Sequence, residues 1–185
     1  MKPVTFLITV SLALSTISSL PTASRAASAA EIDQNAKAAL NTLYASNRGA
    51  QVVGHRAKAV LVFPRILKAG FLVGAQRGDG ALIVHGKTVA YYNTTAASYG
   101  LQAGVQKFGY AMFFMTDASL NYLRKTGGWE GGTAPSLVVV DAGIARSLST
   151  TTLKKGIYVF FFSQKGLMGG IGLQGTKITQ YTPSA

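Results

Sequence analysis

The sequence predicts an α+β domain: N-terminal helices packed on a strongly curved, mainly antiparallel β-sheet of barrel-like form, with one further helix near residues 116–125. Three observations carry this. Helical periodicity is confined to the stretch before residue 58 and to one later segment. From Ala59 onward the chain breaks into short β-branched and aromatic runs punctuated by Gly, Asn, Lys or Asp. Two of those runs, Tyr110 to Met115 and Ile157 to Phe162, are apolar on both faces, as strands are that are covered on both sides or show one face to lipid, and a curved sheet under the N-terminal helices is the favoured arrangement.

Glu31 to Ser46 places Ile32, Ala36, Ala39, Leu40, Leu43 and Tyr44 at helical spacing, with acids in the first turn where the helix dipole favours them. Asn47-Arg48-Gly49 ends that helix, and Ala50 to Ala57 reads as a second short one with Val52 and Val53 inward. Val60 to Phe63, Phe71 to Ala75, Ala81 to Val84, Thr88 to Tyr92 and Ala97 to Gln106 read as strands. Between the first two, Pro64 ends a strand and Arg65 and Lys68 ride on a basic connector. His85-Gly86-Lys87 reads as a hairpin turn with Gly86 at positive φ. Thr116 or Asp117 caps the later helix, Ala118, Leu120 and Leu123 face inward, and Arg124-Lys125 complements the dipole in its last turn. Trp129, the sole tryptophan, lies in the Gly-rich loop from Thr126 to Pro135 and reads as a plug at the edge of the core. Leu137 to Val140, Ile157 to Phe162 and Lys177 to Tyr181 complete the sheet. A spanning outer-membrane barrel is disfavoured because the runs are short for that purpose.

The start of the chain reads as a secretory signal peptide: Met1-Lys2, an apolar stretch from Val4 to Leu20 broken by Ser and Thr, and the small-x-small site Ala27-Ser28-Ala29. The expected organisation is a signal over 1–29 and a single domain over 30–185, exported to a Gram-negative periplasm. The chain has no cysteine, so neither a disulfide nor a lipidated N-terminal cysteine is available. Losing Lys2 and Arg25, and no acid, takes the formal net charge from +12 to +10. A domain this basic expects an anionic partner, and export disfavours nucleic acid among the candidates.

Several catalytic signatures occur in the wrong context. Gly170 to Gly175 spells GxGxxG, but the ten residues after it read as a strand where a dinucleotide site needs a helix. Gly80 to Thr88 is a near-phosphate loop whose interior, Ala-Leu-Ile-Val, is strand. Ser98 lacks the strand–turn–helix of a nucleophile elbow, and Lys125-Thr126-Gly127 has no Ser-x-x-Lys companion. Two histidines, no thiols and six acids give no metal-ligand pattern. No enzyme activity, cofactor or metal is expected.

What remains is charge and glycine. The pattern Gly-Φ-x-x-Gly, with Φ a large apolar residue, occurs at Gly70–Gly74, Gly100–Gly104 and Gly166–Gly170, preceded closely by a lysine in the first and last copies. Flanking strand character makes these glycines strand bends or close backbone approaches.

Four ordered blocks carry a resemblance. They are Val60-Leu61-Val62-Phe63-Pro64, then Lys68 to Gly74 with Gly78 and Gly80, then Tyr99 to Gly104, and finally Phe162 to Gly170 with Gly175. Together they resemble the SYLF domain, the module of the yeast Ysc84-like actin-regulating proteins, found also in secreted bacterial proteins. The resemblance runs from about Ala38 to Tyr181. It implies lipid binding and no catalytic activity. Its actin role belongs to eukaryotic members, which usually carry an SH3 or FYVE domain that this chain lacks.

The expected function is therefore that of a non-enzymatic periplasmic protein binding anionic phospholipid through a basic, glycine-rich face. Charge and position, not the family, nominate Arg65, Lys68, Lys154, Lys155 and Lys165 for lipid contact, with Phe71, Leu167 and Met168 as apolar neighbours. The Arg65–Lys68 connector and Lys165 are expected on one face. The alternative is an envelope structural protein that binds a protein partner or an anionic glycan.

Overall fold

The computed structural model describes residues 27–71, 73–99, 104–130, 136–141, 153, 156–165 and 175–184. The proposed signal segment lies almost wholly outside them. Helix α1 spans Ala29–Ser46 and α2 spans Arg48–Gly54. Four long strands follow, β1 (Ala59–Phe71), β2 (Val73–Val84), β3 (Lys87–Tyr99) and β4 (Gly104–Phe114). Then come α3 (Asp117–Thr126), β5 (Gly128–Trp129), β6 (Leu137–Val140), β7 (Ile157–Lys165) and β8 (Thr176–Tyr181). The strands form one curled half-barrel sheet in the order β5-β8-β3-β2-β1-β4-β7-β6, antiparallel throughout except for the β6–β7 pair.

The helices form where polar caps meet apolar periodicity. The Ser28 hydroxyl accepts from the Glu31 amide at 3.3 Å and so caps α1. Cleavage after Ala29 would remove that cap. Asn47 caps α2 through its side chain, accepting from the Ala50 amide at 3.0 Å. Thr116 caps α3, which ends at Gly127 in the left-handed conformation. Leu120 and Leu123 of α3 are buried as expected, whereas Ala118 faces solvent.

Two cores sandwich the sheet. Outside it, Ile32, Ala36, Leu40 and Leu43 of α1 and Val53 of α2 pack on Val60, Val62, Ala81, Ile83, Phe113 and Phe160. Inside the curl, α3 and Trp129 pack on Leu61, Phe63, Leu82, Met112, Phe114 and Val159. This explains why β4 and β7 are apolar on both faces: each face has its own partner. Trp129 is buried against Phe114 and closes the edge of the inner core, with β5 paired to β8.

The strands are longer than the sequence predicts, so shortness no longer argues against a spanning barrel; among the described residues, the terminal strands β5 and β6 do not pair and the sheet stays open. Pro64 does not end a strand, and there is no basic connector. β1 runs through Pro64 and Arg65 by means of a one-residue bulge, since five steps from Val62 to Leu67 oppose four from Ala81 to Arg77. A bulge is where a strand tolerates a proline, which has no N–H to give the ladder. Glycines on both neighbouring strands make room for it. A Cβ on Gly80 would meet the Val62 carbonyl and the Phe63 ring, and one on Gly109 would meet the Pro64 carbonyl. The tight turn at His85-Gly86 forms as expected, both residues having positive φ of 48° and 77°. Ser98 is backbone-paired within β3, and Lys125-Thr126-Gly127 is simply the end of α3. Residues 166–174, including most of the GxGxxG run, lie outside the described residues.

Candidate functional site

Helix α1 covers only half of the long strands. Its first turn stops at a shallow groove where Glu31 and Ile32 face Arg65, Leu67, Arg77 and Asp79. Beyond that line, among the described residues, no element covers the helix-bearing face of β1–β4 toward the β1–β2 hairpin.

Register places the side chains of this uncovered half. Residues paired across adjacent strands project from the same face. Leu67 pairs with Arg77 on one side and Lys107 on the other; Arg77 pairs with Thr95, Thr95 with Lys177, and Lys107 with Lys165. Five strands thus present the row Lys177–Thr95–Arg77–Leu67–Lys107. Along β4 the same parity continues through Gly109 to Ala111 and Phe113, which touch the outer core, so the row belongs to the helix-bearing face. Arg77, Lys107 and Lys177 are exposed. Large apolar side chains stand beside them in the open: Leu67 at 47%, Val73 at 56% and Val105 at 58% exposure.

The nominated residues divide on this geometry. Arg65 is exposed and lines the groove with Leu67 and Arg77. The Lys165 backbone pairs with Lys107 where β7 meets β4. Phe71 pairs with Val73 at the hairpin. Lys68 is the correction: one residue past Leu67, it falls on the opposite, inner face and is only 8% exposed. Arg65 therefore lies on the helix-bearing face and Lys68 on the other, so the two cations of the expected connector do not share a face. Lys154, Lys155, Leu167 and Met168 lie outside the described residues.

Arg77, Lys107, Lys177, Leu67, Val73 and Val105 were not nominated from sequence. Their signal was strand alternation, Val73-x-Ala75-x-Arg77 and Val105-x-Lys107, which aligns them only once β1–β4 are read as unbroken strands. Lys177 pairs with Glu130 at 3.4 Å across exposed surface, which leaves it well hydrated.

Where the sheet meets α1 the surface turns polar and anionic. The Asn93 amide donates to Asp79 at 2.8 Å. Burial raises the Tyr181 phenol above its ordinary value, and the neighbouring Asp79 carboxylate raises it further. Tyr91 is raised in the same way, by burial and then by Asp33. These phenols stay neutral at physiological pH, and the acids beside them mark a boundary to the basic row.

An α-helix-backed, open half-barrel with a basic, partly apolar outer face defines a binding module built on sheet curvature. The family model described as Ysc84, Las17-binding protein actin regulator, matches residues 95–184, from the second half of β3 to the residues after β8. Over those residues the chain is similar to this SYLF family, and the first two blocks of the resemblance precede the matched segment. No curated protein matches the chain.

Proposed function

We propose that the chain is a non-enzymatic lipid-binding protein, exported to the periplasm, that docks on anionic phospholipid through the uncovered outer face of the half-barrel. Similarity to this family over residues 95–184 supports binding of lipid or protein partners in general. The single observation that carries the finer reading is the cross-strand row of Arg77, Lys107 and Lys177, with Arg65 nearby and Leu67, Val73 and Val105 exposed between and beside them. Cations near an anionic bilayer contribute roughly 1 kcal/mol each, and the attraction decays within a Debye length. Exposed valines and leucine at the same level add apolar contact where the headgroups end. Strand placement fixes the backbone spacing of these residues, so docking orders only their side chains.

Co-sedimentation with phosphatidylglycerol and phosphatidylcholine vesicles tests it. The protein should pellet with the anionic vesicles in low salt and be released as salt rises, while the neutral vesicles retain little. Equal binding to both compositions, or binding to neither, contradicts the proposal. In the latter case, capture of an anionic polysaccharide or an envelope protein becomes the better account of the basic face.

A further inference from the structure

The inner face of the same uncovered half carries a second row with different chemistry. Lys68 pairs with Gln106 on β4 and with Gln76 on β2; Gln76 pairs with Ala96, and Ala96 with Thr176 on β8. All four polar members are buried: Gln106 at 3%, Lys68 and Gln76 at 8%, and Thr176 at 2% exposure. One row further into the curl, Thr94 is fully buried and accepts a hydrogen bond from the Tyr110 hydroxyl at 2.8 Å. One row toward the hairpin, Gly70 is flanked by Gly74 and Gly104, so three adjacent strands put no side chain between the polar row and the sheet end.

A buried ammonium needs an opposite charge or several acceptors, because desolvation costs it several kcal/mol otherwise. Lys68 takes part in none of the three ion pairs among the described residues, and none of their hydrogen bonds reaches it. Nor does the sequence hold a carboxylate for it. The six acids of the chain are Glu31, Asp33, Asp79, Asp117, Glu130 and Asp141. Asp33 and Glu31 belong to α1 on the outer side, Asp117 and Glu130 pair with Lys58 and Lys177, and Asp141 follows β6. Asp79 is three residues from Gln76 and so projects from the opposite face of β2. The Thr176 hydroxyl is likewise buried without a hydrogen-bond partner among the described residues.

We infer that this inner row is a receptor for a phosphate group, with Lys68 as the charge and the Gln76 and Gln106 side chains on the two adjacent strands as flanking donors. The chemistry fits an oxyanion. Amide donors on the two strands that neighbour β1, each about 4.8 Å away, flank one cation, and no carboxylate in the row repels the ligand. A tetrahedral phosphate offers enough acceptor oxygens to reach donors from three strands at once. The group could be free phosphate or a phospholipid headgroup, and both use the same contacts. This site goes beyond vesicle docking, which uses the other face of the sheet.

Titration calorimetry of the full-length chain with two soluble probes, inorganic phosphate and monomeric dihexanoyl phosphatidic acid, tests the site. Wild type should bind at least one probe saturably with one-to-one stoichiometry, and the bound probe should raise the thermal midpoint. Lys68→Met should weaken that binding at least tenfold, whereas Lys58→Met, which removes a cation elsewhere, should change it less than twofold. Met is close in volume and apolar, so this variant keeps the fold and should unfold no lower than wild type in phosphate-free buffer. Tenfold tighter binding of the lipid probe assigns the site to a headgroup; equal or tighter binding of inorganic phosphate assigns it to the free anion. Binding of neither probe to wild type, or undiminished binding to Lys68→Met, overturns the inference. Neither probe forms a bilayer, so failure here leaves vesicle docking standing, and failed docking leaves this site standing.

Discussion

The two halves of β1–β4 are continuous in backbone and opposite in purpose. In the half under the helices, Val60, Leu61, Val62 and Phe63 are buried on both faces, as are Tyr110 to Phe114 on β4. Beyond the bulge at Pro64, the same strands expose Leu67 and Val105 on one face and bury Lys68 and Gln106 on the other. One end therefore holds the fold together, while the other carries the polar and charged groups on which the two binding proposals rest. The bulge is the hinge of this division: it lets one strand serve both ends while the sheet curls.

The largest separation between the halves should appear in stability. Phe113 is fully buried between Tyr44 and Phe160, at ring-centroid distances of 6.2 and 5.4 Å. Phe113→Ala should cost about 3–5 kcal/mol in urea unfolding, as large-to-small core changes do. Val105→Ala on the bare half should stay within about 0.5 kcal/mol, the usual range for surface positions. Comparable losses at the two positions would erase the distinction.

At the bulge itself, Gly80→Ala forces a Cβ against the Val62 carbonyl and the Phe63 ring. Overpacking of that kind should cost about 1–3 kcal/mol. The same substitution at Gly86 meets open space but must hold a φ of 77°, which should cost about 1 kcal/mol. Chemical denaturation of both variants separates a steric role at the bulge from a conformational one at the turn.

A smaller effect concerns pH. Tyr110 is fully buried, and burial holds its phenol protonated far above the ordinary tyrosine range. In the unfolded chain it titrates near pH 10. Its neutral burial therefore stabilises the fold fully below about pH 10, and that contribution declines as pH rises above it. Tyr110→Phe should lose about 1 kcal/mol at neutral pH, from the hydrogen bond to Thr94, and should show a shallower alkaline decline. Urea midpoints measured at pH 8 and pH 11 for both proteins check the sign.

Much of the fold was legible in the sequence because the relevant signals are local. Periodicity located α1, Thr116 or Asp117 marked the start of α3, His85-Gly86 marked a hairpin, and the doubly apolar β4 and β7 called for cover on both faces or a face toward lipid. The long strands were not legible, because Pro64, Gly78 and Gly80 each resemble a break when read alone. Only cross-strand pairing shows that the glycines sit opposite the proline's bulge and permit the strand to continue. That misreading propagated to the site. Arg65 and Lys68 look like neighbours on a connector, but in a strand their odd spacing sends them to opposite faces after the bulge. Arg77, Lys107 and Lys177 are far apart in sequence and meet only through register.

The central claim, that the outer row docks on anionic lipid, is tested most directly by comparing two charge-matched variants on phosphatidylglycerol vesicles across a salt series. Arg77→Gln/Lys107→Gln removes two cations from the row; Arg124→Gln/Lys125→Gln removes two exposed cations from the end of α3. At roughly 1 kcal/mol each, the first variant should bind about thirtyfold more weakly in low salt and show a flatter salt dependence. The second should stay close to wild type. Equal weakening by the two variants would mean that net charge, and not this face, governs the association, and would contradict the account.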